Sequence, residues 1–305
     1  MKRAAIIDIG SNSIKFLVGE KRPDGAVKTV VDQNDVARLG EGLWERGVLS
    51  EAAMERNAQA VARFVKTAKE HSAEEIVCVG TMALRSAANG AEFVKRVRDL
   101  CGVEVRILPG EEEARLSYLA VLSGLPIPDG DMVVFDTGGG STEFIFGRGA
   151  EVVKRFSVDL GAIRITERFF RDDPVKEGSV AAALQTIDAE LAVAGVAGRP
   201  CKLVGMGGAV TTMGAVKHKM ERYDPAVIQG LILTRADVTR QIGQYSACTL
   251  TQRCELPGLQ PKRADVILAG ACILQSVMDR LSAQELTISD RGLRHGLAFE
   301  LFQKS

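Results

Sequence analysis

Histidine and cysteine are scarce in this sequence, and neither forms a cluster. Three histidines and six cysteines are spread over 305 residues, and no C-x-x-C pair occurs. Zinc and iron–sulfur sites are built from such clusters, so the pattern argues against both. Cys78 and Cys272 lie inside apolar stretches, which is typical of reduced, buried thiols. We therefore expect any bound metal to be a hard cation with oxygen ligands.

Net charge and long apolar runs are also missing. Lysine plus arginine and aspartate plus glutamate number 39 each, whereas general nucleic-acid-binding proteins are usually basic. No apolar run reaches the roughly 18 residues of a membrane-spanning helix. The N-terminus leads directly into a strand and does not resemble a signal peptide. We therefore expect no nucleic-acid partner, no membrane partner and a cytoplasmic location.

The remaining composition is that of a globular protein, and its patterns alternate between strand and helix. Hydrophobic residues make up 46% of the chain and charged residues 26%. The first half predicts the order β-β-β-α-β-α-β-α, and the second half restarts with three strands. Helices are then predicted at about 161–170, 176–194, 263–281 and 292–302. Pro126 and Pro128 mark the junction, so we predict two α/β domains, residues 1–124 and 125–290, with a cleft between them.

Two stretches of the chain repeat one another. "AIIDIGSNSIKFLVG" (residues 5–19) and "VVFDTGGGSTEFIFG" (residues 133–147) share five identities in fifteen positions. The aligned pairs include Asp8 with Asp136 and Ser13 with Ser141. In each copy an apolar strand ends in an aspartate, a turn rich in small polar residues follows, and a second strand begins. The chain therefore contains one strand–turn–strand unit built twice.

This unit has the chemistry of a phosphate site. Glycines allow close approach of the backbone and turn its N–H groups towards an anion, and serine and threonine hydroxyls add donors. An aspartate at the strand end can hold Mg²⁺ directly or through water. A Walker motif is absent, and a strand rather than a helix follows each turn, which excludes a Rossmann fingerprint. Ordinary hairpin turns are the alternative, but the matched duplication favours two halves of one phosphate clamp.

Several motifs resemble those of the exopolyphosphatase/guanosine pentaphosphate phosphohydrolase family, within the acetate kinase–sugar kinase–actin superfamily. In family order they are "DIGSNS" (8–13), "GTMALRSAANG" (80–90), "GEEEARL" (110–116), "DTGGGSTE" (136–143), "GMGGAVTT" (205–212), "RADVILAG" (263–270) and "DRGLRHG" (290–296). They span nearly the whole chain. The resemblance implies an α/β fold of two ribonuclease-H-like (actin-like ATPase) domains with an interdomain cleft. It also implies the short two-domain form, in which the last helix, about 291–305, packs back on the first domain.

The resemblance assigns roles to individual residues. The family's catalytic base matches Glu113, and Glu112 is the alternative because a one-residue slip is easy in a run of three glutamates. Asp136 and Glu143 match Mg²⁺-linked carboxylates, and Asp8 is the equivalent carboxylate of the first copy. Asp8 has a structural alternative, which is to cap its own turn. The phosphate-binding positions are Gly10, Ser11, Asn12, Ser13, Arg85, Gly138, Gly139, Gly140, Ser141, Thr142, Gly207 and Gly208.

These roles predict a Mg²⁺-dependent hydrolase acting on inorganic polyphosphate, guanosine pentaphosphate or both. The resemblance also implies a homodimer, although nothing in the sequence locates an interface. A kinase of the wider superfamily is a second hypothesis, which "GEEEARL" argues against because it matches the phosphatase branch. A nucleotide-sensing regulator or actin-like assembly protein is a third. The presence of Glu113, Asp136 and Glu143 argues against a loss of hydrolysis.

Overall fold

The structure is a computed structural model, which describes residues 2–22, 27–126, 129–198 and 200–303. The strands in these residues are β1 (Arg3–Ile9), β2 (Ile14–Lys21), β3 (Val27–Asp35), β4 (Glu75–Gly80), β5 (Val105–Ile107), β6 (Asp131–Thr137), β7 (Thr142–Arg148), β8 (Glu151–Val158), β9 (Lys202–Met206), β10 (Ile232–Thr234) and β11 (Glu285–Ile288). The helices are α1 (Leu43–Arg46), α2 (Glu51–Glu70), α3 (Met82–Ser86), α4 (Gly90–Cys101), α5 (Gly110–Leu122), α6 (Ala162–Phe169), α7 (Ser179–Val193), α8 (Gly208–Lys217), α9 (Pro225–Ile228), α10 (Arg235–Ala247), α11 (Leu250–Cys254), α12 (Ile267–Arg280) and α13 (Leu293–Gln303), with a short 3₁₀ helix at Pro261–Arg263.

The chain forms two compact units. The first contains the residues up to Ser123 together with those from Gly292 onwards, and the second contains Gly124–Arg291. The boundary predicted after residue 124 and this division differ by one residue. Pro128, one of the two predicted junction prolines, lies outside the described residues, as do residues 304 and 305 of the predicted last helix.

The first unit is built on a five-stranded mixed sheet with the order β3-β2-β1-β4-β5. β1, β2 and β3 are antiparallel neighbours joined by short connections, whereas β4 and β5 run parallel to β1. Parallel neighbours need a crossover, and here α2 leads into β4 while α4 leads into β5. As a result, β1, β4 and β5 end at the same edge of the sheet, with Ile9 paired to Gly80 and Gly80 paired to Ile107.

Both faces of this sheet are covered. Side chains alternate along a strand, so Ile7 and Phe16 face one layer while Ile6 and Leu17 face the other. The first layer is formed mainly by α2 and α4. The second is formed by α5 and α13, whose buried side chains include Leu116, Leu293, Leu297 and Phe302. The C-terminal helix is therefore part of the core of the first unit.

The second unit repeats this arrangement. Its sheet has the order β10-β11-β9-β6-β7-β8, with β6, β7 and β8 antiparallel and β9 and β11 added in parallel. Without the edge strand β10, this is the strand order of the first sheet. α6, α7, α8, α10 and α12 contribute to the hydrophobic core that covers it. The fold class predicted from the family resemblance, ribonuclease-H-like α/β in both halves, is confirmed.

One predicted helix begins later than expected. The pattern predicts a helix from residue 263, but the structure has the 3₁₀ helix Pro261–Arg263 and a turn there, and α12 begins at Ile267. Proline at the start of the 3₁₀ helix fixes the chain direction and lacks a backbone donor, so this segment is a short separate turn. The change matters for the site because it determines where Arg263 lies.

Candidate active site

The two repeated turns have the same backbone geometry. Gly10 N donates to Ser13 O at 3.0 Å in the turn between β1 and β2, and Gly138 N donates to Ser141 O at 2.9 Å in the turn between β6 and β7. Each turn therefore closes a tight hairpin immediately after its aspartate-bearing strand. The sequence repeat is a structural repeat.

The segment after β3 holds the first turn through two backbone hydrogen bonds, and backbone N–H donors of the turn are left for a ligand. Gly40 N donates to Ser11 O at 2.8 Å, and Arg38 N donates to Asn12 O at 2.9 Å. Among the described residues, none accepts a hydrogen bond from the backbone N–H of Ser11 or Asn12. Two successive N–H groups on a rigid turn form an anion-binding nest. The geometry of this turn suits a phosphate oxygen.

The second turn is supported by the start of α6. Ala162 N donates to Gly138 O at 3.0 Å and Ile163 N donates to Gly139 O at 2.8 Å. In the described part of the chain, the N–H groups of Gly139 and Gly140 have no protein acceptor. As in the first turn, the backbone carbonyl groups accept hydrogen bonds from the protein, which leaves the N–H groups to bind a ligand.

Thr142, one of the predicted phosphate-binding residues, also has a structural bond. Its hydroxyl donates to the carbonyl of Leu160 at 2.6 Å, and the residue is fully buried. This bond ties the start of β7 to the segment before α6. The hydroxyl therefore holds the second turn in shape.

Asp136 and Glu143 stand directly opposite each other in the second sheet. They are cross-strand partners on β6 and β7, and they are 9% and 2% exposed. Glu143 is in turn the partner of Ser157 on β8, whose hydroxyl donates to Glu143 Oε1 at 2.8 Å. Like charges in facing positions destabilise a sheet, and more so when they are buried. Asp136, Glu143 and Ser157 thus form a row of oxygen-bearing side chains across β6, β7 and β8. Carboxylate oxygens of this kind are the ligands that a divalent cation prefers.

The equivalent row of the first sheet carries a different charge pattern. Asp8, which is 5% exposed, is paired with Lys15 on β2, and Lys15 is paired with Asn34 on β3. Lysine thus occupies the place of Glu143. An ammonium group opposite the carboxylate supplies the positive charge from the protein itself. The residues of the first row do not form a second carboxylate pair.

No group of three or more histidine, cysteine, aspartate or glutamate side chains able to hold a metal occurs among the described residues. Asp136 and Glu143 are two ligands, and Mg²⁺ commonly binds one or two carboxylates and completes its shell with water and substrate phosphates. The donor set therefore fits Mg²⁺ bound together with a phosphate ligand. It does not fit a metal held entirely by protein.

Glu113 and Arg85 form an ion pair in the first unit. Arg85 Nη1 donates to Glu113 Oε2 at 2.7 Å and also to the carbonyl of Leu108 at 2.7 Å. Glu113 is 8% exposed and lies in the first turn of α5, while Arg85 lies in α3 directly after β4. Because β4 and β5 end at one edge of the sheet, the residues that follow them meet. The structure thus joins two predicted site residues in one contact.

The three consecutive glutamates of α5 have different surroundings. Glu111 is exposed, and Glu112 is partly exposed and pairs with Arg106 Nη1 at 2.9 Å. Only Glu113 is buried on the side that faces the sheet. An acidic first turn is favoured by the helix dipole in every case, so the dipole does not distinguish them. Burial and the arginine partner distinguish Glu113 from its neighbours.

The third glycine turn lies against Asp136. Gly207 precedes α8 with φ +91°, and a Cβ atom there would be 2.4 Å from Thr137 O and 2.7 Å from Asp136 Oδ1. Only glycine fits both the backbone angle and the space. The start of α8 is therefore next to the carboxylate at the end of β6, which places Gly207 and Gly208 at the Asp136 end of the second sheet.

Arg263, the first residue of the "RADVILAG" motif, lies beside the third glycine turn. A Cβ atom on Gly208 would fall 1.6 Å from Arg263 Nη1, so the guanidinium lies over the α-carbon of this glycine. It reaches this position because the 3₁₀ helix ends at Arg263 instead of continuing into α12. The "RADVILAG" motif was the only sequence signal for it.

Tyr223 and Asp290 lie in the same region of the second unit. The Tyr223 hydroxyl donates to Asp290 Oδ1. Burial raises the pKa of Tyr223 well above its ordinary value, and the Asp290 carboxylate raises it further, while Thr211 and Arg263 oppose the shift. Asp290, Thr211 and Arg263 are therefore all close to the Tyr223 hydroxyl. Asp290 comes from the "DRGLRHG" motif, but no sequence signal pointed to Tyr223.

The chain is similar in sequence to known phosphatases. The model of the Ppx/GppA phosphatase family matches residues 17–305. "Exopolyphosphatase 2" of Mycobacterium tuberculosis is 32% identical over 324 residues, which cover 99% of each chain. "Guanosine-5'-triphosphate,3'-diphosphate pyrophosphatase" of Vibrio vulnificus is 32% identical over 98% of this chain and 59% of its own length. "Bifunctional 3-dehydroquinate synthase/phosphatase" of Fusobacterium nucleatum is 30% identical, and the chain spans 46% of its length.

Solved structures show the same fold. The Ppx/GppA family member of Aquifex aeolicus is 32% identical and superimposes with a TM-score of 0.84, over 99% of this chain and 98% of that one. An exopolyphosphatase from Cytophaga hutchinsonii is 26% identical with a TM-score of 0.90, over 99% of this chain and 98% of that one.

In the described residues, the helices are all too short or too polar to span a membrane.

Proposed function

The chain belongs to the Ppx/GppA phosphatase family, and on this basis we propose that it is an exopolyphosphatase, which hydrolyses the terminal phosphoanhydride bond of inorganic polyphosphate. Family membership makes it a phosphoanhydride hydrolase. The observation that best supports the proposed mechanism is the Arg85–Glu113 ion pair at the edge of the first sheet where the first turn also begins.

Glu113 is proposed as the base that orients and deprotonates the attacking water. Arg85 fixes its carboxylate through Nη1, and in the described residues the Nη2 group contacts only the sulfur of Met82. An arginine has five N–H donors, so the remaining donors can bind a phosphate oxygen while Nη1 holds the base. One side chain would thus position both the base and the phosphate.

Asp136 and Glu143 are proposed to hold Mg²⁺, with Asp8 as the equivalent position of the first unit. When bound, the cation neutralises negative charge on the phosphate oxygens. Ser157 fixes the orientation of Glu143 through its hydroxyl. The opposing lysine at position 15 makes Asp8 the less favourable carboxylate for a cation and the turn beside it the more favourable place for a phosphate.

The reaction then follows from the groups that these residues supply. The N–H groups of each turn are proposed to bind phosphate oxygens, those of Ser11 and Asn12 in the first unit and those of Gly139 and Gly140 in the second. Water attacks the terminal phosphorus, its proton passes to Glu113, and the bond to the bridging oxygen breaks. The products are orthophosphate and a polyphosphate chain shorter by one unit.

Guanosine pentaphosphate is the second candidate substrate. The relatives named for polyphosphate and for guanosine pentaphosphate are each 32% identical to this chain, so similarity does not rank the two activities. Both substrates offer a terminal phosphoanhydride bond to the same turns. A nucleotide-sensing regulator with little hydrolysis is the remaining alternative.

Phosphate release by the purified protein with Mg²⁺ tests the proposed function. Long-chain polyphosphate, guanosine pentaphosphate and ATP should be compared at equal concentrations of terminal phosphate. The proposal predicts the highest kcat/KM for polyphosphate and loss of activity when the metal is chelated. A preference for guanosine pentaphosphate would assign the second activity. Tight nucleotide binding without phosphate release would assign the regulator.

A further inference from the structure

Arg38 has an unusual backbone conformation for a residue that is not glycine. Its φ is +52°, in the left-handed region. Three other non-glycine residues of the described chain share this feature: Ser72, Lys219 and Ser282. Each of those three follows the end of a helix by two residues, where a left-handed residue closes the last turn. Arg38 follows a strand, so a helix end does not explain its conformation.

The position of Arg38 has a counterpart in the second unit. Lys15 pairs with Asn34 as Glu143 pairs with Ser157, so the strands β3 and β8 are in equivalent register. Arg38 lies four residues after Asn34, and Gly161 lies four residues after Ser157, so Arg38 and Gly161 occupy equivalent positions.

The hydrogen bonds agree with this equivalence. Ala37 N donates to Asp35 O and Leu160 N donates to Val158 O at matching positions. Gly40 N also donates to Ser11 O where Ile163 N donates to Gly139 O. The segments that support the two turns are therefore two copies of one element.

The counterpart shows why a side chain is costly here. Gly161 has an extended backbone, and a Cβ atom on it would lie 2.4 Å from Gly139 C and from Gly140 N. A residue larger than glycine cannot take that conformation beside the turn. In the first unit the arginine is accommodated by a left-handed backbone, which costs free energy that glycine would not.

The strained segment is held firmly in place. Arg56 Nε and Asn57 Nδ2 both donate to the carbonyl of Ala37, at 2.7 and 2.8 Å, and Arg56 Nη2 donates to the carbonyl of Arg38 at 3.3 Å. Asn57 is fully buried. Arg38 N donates to Asn12 O at 2.9 Å, so the residue adjoins the phosphate-binding turn. Backbone strain that is maintained by its surroundings is typical of functional positions.

We propose that Arg38 is a phosphate-binding residue of the first turn, where its guanidinium adds a fixed positive charge to the N–H groups of Ser11 and Asn12. The inference rests on the proposed function in assuming that this turn binds a phosphate chain. Guanidinium groups bind phosphate oxygens through paired, charge-assisted hydrogen bonds. A role of the Arg38 guanidinium in phosphate binding would account for the strained backbone of this residue, where the second unit has Gly161.

Binding of inorganic tripolyphosphate, measured by calorimetry in the Glu113→Gln background, tests this without relying on hydrolysis. Arg38→Asn keeps a residue that tolerates the left-handed backbone but removes the charge, and should raise the Kd about tenfold. Arg38→Gly removes both the charge and the strain, and should raise the Kd similarly while increasing Tm by about 2 °C. Arg38→Lys restores a charge and should recover part of the affinity.

Ser72→Gly is the matched control, because it relieves a left-handed residue of the same unit at an exposed helix end. It should change Tm in the same direction and leave the Kd unchanged. Wild-type Kd values in Arg38→Asn and Arg38→Gly would overturn the proposal. Failure of the wild type to hydrolyse polyphosphate, with the Arg38 effects on binding intact, would overturn only the proposed function.

Discussion

Single residues give the two units opposite electrostatic characters. The strand–turn–strand repeat places Lys15 opposite Asp8 in one sheet and Glu143 opposite Asp136 in the other. The first pair joins a carboxyl group and an amine of opposite charge type, whereas the second joins two buried carboxyl groups. The alignment of the repeats already contains this difference. Its meaning depends on the register of the strands, which the structure supplies.

Glu143→Gln should stabilise the protein in the absence of Mg²⁺ and abolish most of the stabilisation that Mg²⁺ provides. Removal of one of two facing carboxylates relieves a repulsion of up to about 1 kcal/mol. A cation at ten times its Kd should stabilise the wild type by about 1.4 kcal/mol. Thermal unfolding with and without Mg²⁺ measures both effects. Lys15→Gln is the matched control and should retain the Mg²⁺ effect; the same retention in Glu143→Gln would contradict this assignment.

Ser157→Ala should raise the Mg²⁺ concentration needed for half-maximal activity about tenfold, because hydrogen bonds to a metal ligand fix its orientation. The hydroxyl lies 2.8 Å from Glu143 Oε1 and has no other role in the described contacts. Ser157→Thr keeps a hydroxyl and should restore the wild-type Mg²⁺ requirement. A Mg²⁺ titration of activity measures the effect. An unchanged requirement in Ser157→Ala would show that Glu143 needs no such support.

Secondary-structure elements were predictable where apolar residues recurred at a regular spacing or where a glycine-rich turn separated two apolar runs. The hairpins β1–β2 and β6–β7 were predicted from apolar runs joined by glycine-rich turns, and helix α2 from an apolar face at helical spacing. Helix α10 was not predicted. Its buried face includes Asp237, Gln241 and Tyr245, so polar residues interrupt the apolar stripe that a sequence pattern relies on.

Asp237 shows how this helix is stabilised instead. It forms a capping box with Thr234 at the start of α10, and its carboxylate lies 2.7 Å from Lys217 Nζ. Burial acts to raise the pKa of Asp237, but the hydrogen bonds from Lys217 and Thr234 outweigh it and hold the pKa well below its ordinary value. Lys217 also donates to the carbonyl of Ile232, so the contact joins α8, β10 and α10.

The stability difference between wild type and Asp237→Asn should depend on pH. A depressed pKa means that the carboxylate stabilises the fold above about pH 4, its ordinary pKa in the unfolded chain. This contribution is lost as pH falls towards the lower pKa of the folded state. Tm measured from pH 7 to pH 2 should therefore show a deficit in Asp237→Asn that shrinks in acid.

Arg240→Met is the control for that experiment, because its ion pair with Asp237 involves an arginine side chain that is 61% exposed. Exposed pairs contribute little, so its Tm should stay near that of the wild type at every pH. A deficit in Asp237→Asn that is constant across the pH range would show that the ion pair is not its cause.

At the scale of the whole molecule, the two units repeat one arrangement of strands and turns. Without the edge strand β10, the second sheet has the strand order of the first, and Ser11 O and Gly139 O accept equivalent hydrogen bonds from the segments after β3 and β8. The sequence repeat predicted the two strand–turn–strand units but not these further features. The equivalence of Arg38 and Gly161 was not predictable. The connection from β2 to β3 is longer than that from β7 to β8. The alignment that matches the two turns therefore does not match the segments that follow β3 and β8.

The pairing of Arg85 with Glu113 also depends on the whole fold. The sequence assigned each residue a role, but they are 28 positions apart on α3 and α5. They meet because two parallel strands end at one sheet edge and each helix begins there. Long-range contacts of this kind follow from topology, which local sequence patterns do not specify.

The activity of two neighbouring glutamate variants tests the central claim most directly. Glu113→Gln keeps an acceptor for Arg85 but removes the base, and its kcat for polyphosphate should fall by at least about 100-fold. KM should change little, because the phosphate-binding groups remain. Glu112→Gln, whose side chain pairs with Arg106 away from this contact, should retain wild-type kcat. Wild-type kcat in Glu113→Gln, or a loss confined to Glu112→Gln, would contradict the proposed mechanism.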